Sequence, residues 1–557
     1  MEYITRGVCG QEGCRETRYY LDNGLWFCRR GHQQEGRQVE EDPDDFGTQG
    51  KTHRLKKAAV EKTQKTYRGR QAYTLFLQVY QLILWKQCFA LVQGKGFPPQ
   101  LENVVKDLWA LRLQRLSDRI EDSSEADEDS NVQIFSSQAV ASSEADEAAQ
   151  GGSRKATDSP RLIDSLALCY LGALLLRLPV GVGDIHRFAM REEVPYIRVI
   201  KSIPREMRDR LPQEYHSALD TRTILKAEHL HRAVLDLALL YYREFGVTFP
   251  PLNAPLMLFG YVKRLALPLE IYPAVNHLQK LVGFTYSFPT DFKGKIRHLV
   301  LPEAQMIALV VISTKLFFPF DDVKRYPTSL REPTAQVIDW KLWAQAQRQF
   351  ESRATAGGRI GKGNEILVKE NDVLKMTSQQ LDEYMDWYEK SWLDSSKVSN
   401  PLADMFPTGR MGTGTETQPN IPAPVPELDD EEAINEKIRT VMSELRPRRA
   451  ITNEQAANLE NEIPRPGSFY RHYRTESSLP ETAKPFYEAA AKVAGLSVRT
   501  LVKVVFQTEL RIERWQEDRR RMGYYGEDVG FVGGDESMDE MEEDMEEEQA
   551  FSEPEGI

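Results

Sequence analysis

Three cysteines and one histidine near the start of the chain have the spacing of a metal site. Four residues separate Cys9 from Cys14, thirteen more lead to Cys28, and His32 follows after a further three. Two close pairs of sulfur and nitrogen ligands on either side of a short hairpin are typical of four-coordinate zinc. We therefore predict that these four residues bind one Zn²⁺ ion. The alternative is a set of reduced cysteines without a metal.

The residues between the two ligand pairs favour a β-hairpin. Residues 15–27, "RETRYYLDNGLWF", contain Asn23-Gly24 between two aromatic segments, and this dipeptide is typical of a tight hairpin turn. Four protein ligands would leave the zinc no open position for water, so we predict a structural role for the ion. Residues 1–40 are therefore predicted to form a zinc ribbon. The other two cysteines, Cys88 and Cys169, lie in apolar helical stretches and are interpreted as buried thiols.

Charged residues are concentrated in separate segments of the chain. The 557 residues carry 84 acidic and 72 basic side chains, and twelve of the acids lie in residues 535–555 without a single base. Residues 121–147 hold nine acids and no base. High charge with low hydrophobicity predicts disorder for an insertion at residues 121–158 and a tail at residues 526–557.

A basic segment follows the predicted ribbon. Residues 51–70 contain eight lysines and arginines against one acid, Glu61, and they belong to a polar linker at residues 41–70. Such a segment is suited to follow the phosphate backbone of a nucleic acid. The alternative is a solvated helical spacer.

Apolar residues recur with the period of an α-helix through most of the chain after residue 70. Residues 72–92 are apolar on nearly all faces, as a helix at the centre of a bundle would be. Few stretches alternate with a period of two, so we predict a mainly α protein. The longest uncharged apolar run, residues 166–176, has eleven residues, against the roughly twenty that a membrane-spanning helix needs. With no secretory signal after Met1, we expect an intracellular protein without a membrane segment.

The helical stretches predict two successive bundles of about five helices, at residues 71–222 and 223–390. A linker rich in proline and glycine follows at residues 391–428, and a further helical region occupies residues 429–525. The predicted helices of the second bundle are residues 226–245, 253–265, 269–284, 302–318 and 335–350.

This order of parts resembles the general transcription factor IIB (TFIIB) family. Residues 166–212, residues 301–322 and the "FCRRGH" of residues 27–32 resemble the TFIIB-like subunit of the RNA polymerase I core factor, part of selectivity factor 1 in metazoa. The resemblance covers about residues 5–350. It implies a small N-terminal β zinc ribbon, two cyclin-like five-helix folds and a C-terminal helical extension.

The resemblance also implies a function and a set of partners. We expect an RNA polymerase I initiation factor of the nucleus and nucleolus that binds the rDNA core promoter and recruits the polymerase. Its expected partners are RNA polymerase I, other core factor subunits, the TATA-binding protein and double-stranded promoter DNA, with no small-molecule substrate. The C-terminal region is expected to dock on the other subunits, or else to be an independent appendage. Polymerase contacts are expected from the ribbon and linker, at Arg15, Arg18, Arg29, Arg30, Lys51, Arg54, Lys56 and Lys57.

Two basic clusters in the helical region are candidates for contacts with DNA. We expect them to contact phosphates rather than read bases, because no aromatic residues alternate with them. The alternative is a solvated charged face. The candidates are Arg198, Lys201, Arg205, Arg208 and Arg210 in the first cluster and Lys293, Lys295 and Arg297 in the second.

The motifs that would indicate an enzyme are incomplete. Residues 357–363, "GGRIGKG", have one residue too few for a phosphate-binding loop, and Gly363 replaces the hydroxyl residue that would bind magnesium. His229 and His231 fall on different faces of a helix, which argues against a shared metal. We therefore expect no catalytic activity. The remaining alternative is a cyclin-fold interaction scaffold or kinase regulator that does not bind DNA.

Overall fold

The computed structural model describes residues 4–5, 9, 14–22, 25–38, 66–122, 159–221, 223–290, 298–392, 430–457 and 463–525. These residues belong to two compact units, residues 1–63 and 64–557. The acidic tail, most of the linker predicted at residues 391–428 and most of the acidic insertion lie outside the described residues. The first two residues assigned to that linker instead end a helix, Ser378–Trp392. The first two acids assigned to that insertion, Glu121 and Asp122, instead end a long helix.

The first unit is a small antiparallel sheet. Its strands are β1 (Ile4–Thr5), β2 (Arg18–Asp22), β3 (Leu25–Cys28) and β4 (Gln33–Gln38), which lie side by side in chain order. Asp22 pairs with Leu25, so the chain reverses at the two residues predicted to form the turn. In the same ladder Tyr19 lies opposite Cys28, and both side chains are buried.

The second unit is built from helices. In chain order they are α1 (Gly69–Lys95), α2 (Gln100–Asp122), α3 (Leu162–Leu175), α4 (Val182–Met190), α5 (Arg205–Arg210), α6 (Gln213–Leu219), α7 (Ala227–Phe245), α8 (Ala254–Arg264), α9 (Ile271–Val282), α10 (Pro302–Phe317), α11 (Trp340–Ser352), α12 (Glu370–Val373), α13 (Ser378–Trp392), α14 (Asp430–Ser443), α15 (Asn453–Ala457), α16 (Lys484–Ala494) and α17 (Val498–Tyr525). A short strand pair, β5 (Gln336–Val337) and β6 (Arg446–Pro447), joins two distant segments.

Two mainly apolar helices that are buried on nearly every face organise this unit. Helix α3 is surrounded by α1, α2, α4 and α7, and helix α10 by α8, α9, α16 and α17. A helix without a continuous polar face can bury its apolar surface only at the centre of a bundle. At the α2–α3 crossing the fit requires Gly172, because a Cβ there would lie 2.5 Å from Val105 Cγ2. The mainly α prediction is therefore confirmed.

The C-terminal helices are part of this core, so this region is not an independent appendage, and its docking on other subunits stays a prediction. Phe486 and Tyr487 in α16 and Leu501 and Val505 in α17 are buried in the same cluster as α10. A buried ion pair also joins α10 to α17, with Lys315 Nζ 2.8 Å from Glu509 Oε1 and side chains only 3% and 2% exposed. The apolar stripe of α17 therefore packs within its own chain.

Polar contacts connect the two bundles. Glu303 at the start of α10 accepts hydrogen bonds from the Tyr170 hydroxyl and the Val182 backbone N–H, each at 2.8 Å. Nearby, a Cβ on Gly183 would lie 2.7 Å from the Val493 carbonyl, so helix α4 approaches the turn after α16 as closely as glycine allows. These contacts make the junction a packed interface.

Helix α1 is, within the described ranges, the one helix long and apolar enough to cross a membrane by length and composition. Core helices of globular proteins pass the same test, and here Phe76, Val79, Tyr80 and Ile83 are fully buried in the bundle. The helix predicted over residues 72–92 extends by three residues at each end.

Candidate metal centre and basic surfaces

The four predicted zinc ligands meet at one end of the ribbon sheet. The ligand atoms of Cys9, Cys14, Cys28 and His32 all lie within 4.8 Å of one another. His32 Nδ1 is 3.5 Å from Cys28 Sγ and 4.0 Å from Cys9 Sγ. Tetrahedral zinc with bonds of about 2.3 Å to sulfur and 2.0 Å to nitrogen places its ligand atoms about 3.5 to 3.8 Å apart. The donor set and its spacing therefore fit one structural zinc ion.

Backbone hydrogen bonds shape both ligand loops. The Cys9 N–H donates to the Glu16 carbonyl at 3.0 Å, and the Cys28 N–H donates to the His32 carbonyl at 3.0 Å. The second loop turns through Gly31, whose φ of +82° is in the left-handed region that favours glycine. The three cysteines are buried around Tyr19, so the metal ligands also form the small core of the ribbon. A module of this size has little other core, and metal binding would therefore stabilise its fold.

The arginines expected to contact the polymerase lie on the surface of the ribbon. Arg15, Arg18, Arg29 and Arg30 are all exposed. Arg30 Nε lies 4.0 Å from Glu16 Oε1, and an exposed pair at this distance contributes little stability. The predicted linker contacts Lys51, Arg54, Lys56 and Lys57 lie outside the described residues.

The first predicted DNA-binding cluster is divided between buried contacts and the surface. Arg198 pairs with Asp220 at 3.2 Å, and its guanidinium lies 4.1 Å from the ring centre of Trp392. Arg210 donates to the Tyr67 hydroxyl at 3.1 Å. Arg198 and Arg210 thus have structural partners within the chain, whereas Arg205 in α5 is exposed.

The other members of that cluster are half-buried. Lys201 donates to the backbone carbonyl of Lys390 at 3.3 Å, and the carbonyl of Arg208 bonds to the His216 ring at 2.8 Å. The second cluster, Lys293, Lys295 and Arg297, lies outside the described residues. All eight assignments stay predictions.

A basic surface that the sequence did not reveal forms where α7 and α17 begin. Glu228 Oε1 accepts hydrogen bonds from the Ser497 N–H at 3.1 Å and the Thr500 hydroxyl at 2.6 Å, which brings the two helix N-termini together. Lys226, Arg232 and Arg499 are exposed around this contact. Burial and the charges of Lys226 and Arg232 lower the pKa of His229. No local sequence pattern could have revealed this surface, because the two helix starts are 271 residues apart in the chain (227 and 498) and meet only in the folded protein.

The glycine-rich loop and His231 make contacts within the chain. The Ile360 N–H donates to Glu383 at 2.9 Å, and the Gly363 N–H donates to Glu365 at 2.6 Å, so carboxylates of the chain itself bind these amides. His231 is buried with its Nε2 bonded to the Ala494 carbonyl at 3.0 Å, and burial lowers its pKa to about 4.

Three family profiles match the chain in the order of its parts. The zinc-finger of RNA-polymerase I-specific TFIIB, Rrn7, matches residues 3–36, the Rrn7/TAF1B N-terminal cyclin domain matches residues 80–205, and the Rrn7/TAF1B C-terminal cyclin domain matches residues 223–392. The chain belongs to the Rrn7/TAF1B family. This membership confirms the TFIIB-like resemblance, the zinc ribbon and the two cyclin domains. Helices α16 and α17 lie beyond the last matched residue, although they complete the packing around α10.

Two yeast relatives are similar to this chain over most of their length. The RNA polymerase I-specific transcription initiation factor rrn7 of Schizosaccharomyces pombe is 26% identical over 464 residues, which is 77% of this chain and 84% of that protein. The Saccharomyces cerevisiae factor RRN7 is 20% identical over 71% of this chain and 76% of its own length. The crystal structure of the S. cerevisiae core factor aligns with a TM-score of 0.46 and 16% identity, over 82% of this chain and 100% of that chain.

Proposed function

We propose that this chain is a non-enzymatic initiation factor of RNA polymerase I that binds the rDNA core promoter and recruits the polymerase. The observation that carries the proposal is the match of ribbon and two cyclin domains, in chain order, to the Rrn7/TAF1B family. The relatives named as RNA polymerase I-specific initiation factors align over more than two thirds of both chains, which supports the same role for this chain.

In this proposal zinc stabilises a polymerase-binding module and takes no part in chemistry. Cys9, Cys14, Cys28 and His32 supply a complete set of four ligands. The ion would hold the β2–β3 hairpin and its flanking loops rigid, so that exposed arginines such as Arg29 and Arg30 keep a fixed geometry. A rigid basic surface loses less conformational entropy when it binds an acidic partner surface.

We assign contact with promoter DNA to exposed basic residues on the surface of the helical unit. Arg205 in α5 is the best placed of the sequence candidates, and Lys226, Arg232 and Arg499 form the second group at the start of α7 and α17. Basic side chains beside helix N-termini attract phosphates through both their charge and the helix dipole. We expect these contacts to position the chain on the duplex without reading its sequence.

The other partners in the proposal are further core factor subunits and the TATA-binding protein, in the nucleus and nucleolus. Affinity purification of the tagged chain from its own cells tests this set. We expect RNA polymerase I subunits to be recovered, and the Cys9→Ser variant to recover less of them. Recovery of a protein kinase without a polymerase would favour the cyclin-like regulator and reject the initiation factor.

A further inference from the structure

Helix α13 presents a stripe of large apolar side chains to solvent. Leu381, Met385, Tyr388 and Trp392 are 40%, 54%, 38% and 37% exposed. Their spacing of four, three and four residues places them one above the other on a single helix face. Isolated exposed apolar residues are common on proteins, but an aligned stripe of four on one helix marks an interaction surface.

The contacts that hold α13 on the rest of the chain are mainly polar. The Trp387 indole N–H donates to Glu192 at 2.9 Å, and the Ser391 hydroxyl donates to the same carboxylate at 3.4 Å. Arg198 lies against the ring of Trp392. Ser391 is the one buried residue of this helix. The helix therefore docks by an edge and leaves its apolar stripe outside the core.

Helical geometry places the stripe between two different surroundings. With about 100° between successive residues, Trp387 and Ser391 point toward the body of the protein on one side of the stripe. Asp382, Asp386 and Glu389 follow on its other side, and all three are exposed. The surface is thus an apolar strip bounded by the body on one edge and by a row of carboxylates on the other.

We propose that this stripe is the docking site of a basic amphipathic helix from another polypeptide. An apolar strip beside a helix accepts the apolar face of a second helix, with anchors at the same three- and four-residue spacing. The carboxylate row selects for lysine or arginine along one flank of that helix and disfavours acidic partners. Trp392 at one end of the stripe lies against Arg198, a candidate for DNA contact. The residues changed in the test below, Leu381, Met385, Asp382 and Asp386, belong to neither the DNA nor the polymerase assignments, so the test is independent of them.

The test uses two synthetic peptides of about 20 residues, long enough to form a helix when bound. One carries leucines at helical spacing with lysines along one flank, and the other has glutamates in place of the lysines. Fluorescence anisotropy with the full chain should detect binding of the lysine peptide. The double variant Leu381→Gln and Met385→Gln should bind it about tenfold more weakly or worse, because polar amides replace both apolar anchors.

Charge reversal and a matched control make the result specific. Asp382→Lys with Asp386→Lys should no longer bind the lysine peptide and should bind the glutamate peptide instead. Leu256→Gln with Phe259→Gln in α8, where the side chains are 54% and 50% exposed, should leave binding unchanged. Circular dichroism of each variant verifies that the fold is retained.

Three outcomes would overturn the proposal. The first is equal binding of the lysine peptide by the wild-type chain and the Leu381→Gln, Met385→Gln variant. The second is an equal weakening of binding in the α8 control. The third is a dimer of the wild-type chain in sedimentation that the α13 variant abolishes, because the stripe would then belong to a second copy.

Discussion

Replacing the buried carboxyl of Glu303 by an amide should make the stability of the protein less dependent on pH. Burial is the largest cause that raises the Glu303 pKa, from 4.5 to about 8, against the lowering effect of hydrogen bonds from Val182 and Tyr170. Its Oε2 has no hydrogen-bond partner within the described part of the chain. In Glu303→Gln, the amide oxygen can accept both hydrogen bonds, and the side chain no longer releases a proton as the pH rises.

The size of the effect follows from the two pKa values. Below pH 4.5 the carboxyl is protonated in both the folded and the unfolded chain, so it contributes no pH dependence. Between pH 4.5 and about 8 the unfolded chain releases this proton while the folded chain keeps it, so the free energy of unfolding falls as the pH rises. The pKa values differ by about 3.5, and at about 1.4 kcal/mol for each pKa unit the total is roughly 5 kcal/mol.

Urea unfolding at pH 5, 6, 7 and 8 measures this difference directly. We expect the variant to match the wild type near pH 5 and to be more stable by several kcal/mol at pH 8. Glu481→Gln, an exposed residue, is the control and should follow the wild type at every pH. Parallel pH profiles for the wild type and Glu303→Gln would show that the junction does not bury a protonated carboxyl, and would refute the reasoning.

Three further results are expected. Cys9→Ser should reduce the zinc content, measured by mass spectrometry, from one ion per chain to near zero. The control Cys88→Ser should retain one ion per chain. Zinc retained by Cys9→Ser would show that Cys9 is not a ligand. Lys315→Met should cost about 1.5 to 3 kcal/mol in urea unfolding because buried Glu509 loses its ammonium partner and keeps only the Tyr470 hydroxyl and the His472 ring, and adding Glu509→Gln should recover part of the stability; a single variant as stable as the double would contradict this. Reversing the charges of Lys226, Arg232 and Arg499 should weaken promoter binding in gel shifts. It should also reduce the slope of log binding constant against log salt concentration by about 0.9 for each phosphate that is no longer neutralised. An unchanged slope would show that DNA binds at another surface.

The ribbon was predictable from the sequence because its information is local. The four ligands and the two-residue turn lie within 24 residues, from Cys9 to His32. Their spacing determines the local geometry of the ribbon without contacts from distant segments. Most helices were also predictable, because apolar residues recur along them with the helical period. The bounds of α7 to α10 differ from the predictions by at most two residues. The helix predicted at residues 335–350 was wrong at its start, because Gln336–Val337 form strand β5 and α11 begins at Trp340.

Contacts between distant segments were not predictable. Nothing in the periodicity of α17 indicates that Glu509 meets Lys315, which is 194 residues earlier. For the same reason the sequence did not show that Arg198, a candidate for DNA contact, pairs with Asp220 and lies against Trp392, or that basic residues meet at the α7–α17 contact. A charge pattern identifies a basic residue, but only packing determines whether its partner is a phosphate or a neighbouring side chain.

Promoter-directed transcription in a nuclear extract depleted of this chain tests the central claim most directly. With an rRNA gene promoter as template, we expect depletion to abolish RNA polymerase I transcripts and the purified wild-type chain, together with any subunits co-depleted with it, to restore them, while Cys9→Ser restores little. Full transcription in the depleted extract, or a requirement for the chain only at promoters of another polymerase, would contradict the account.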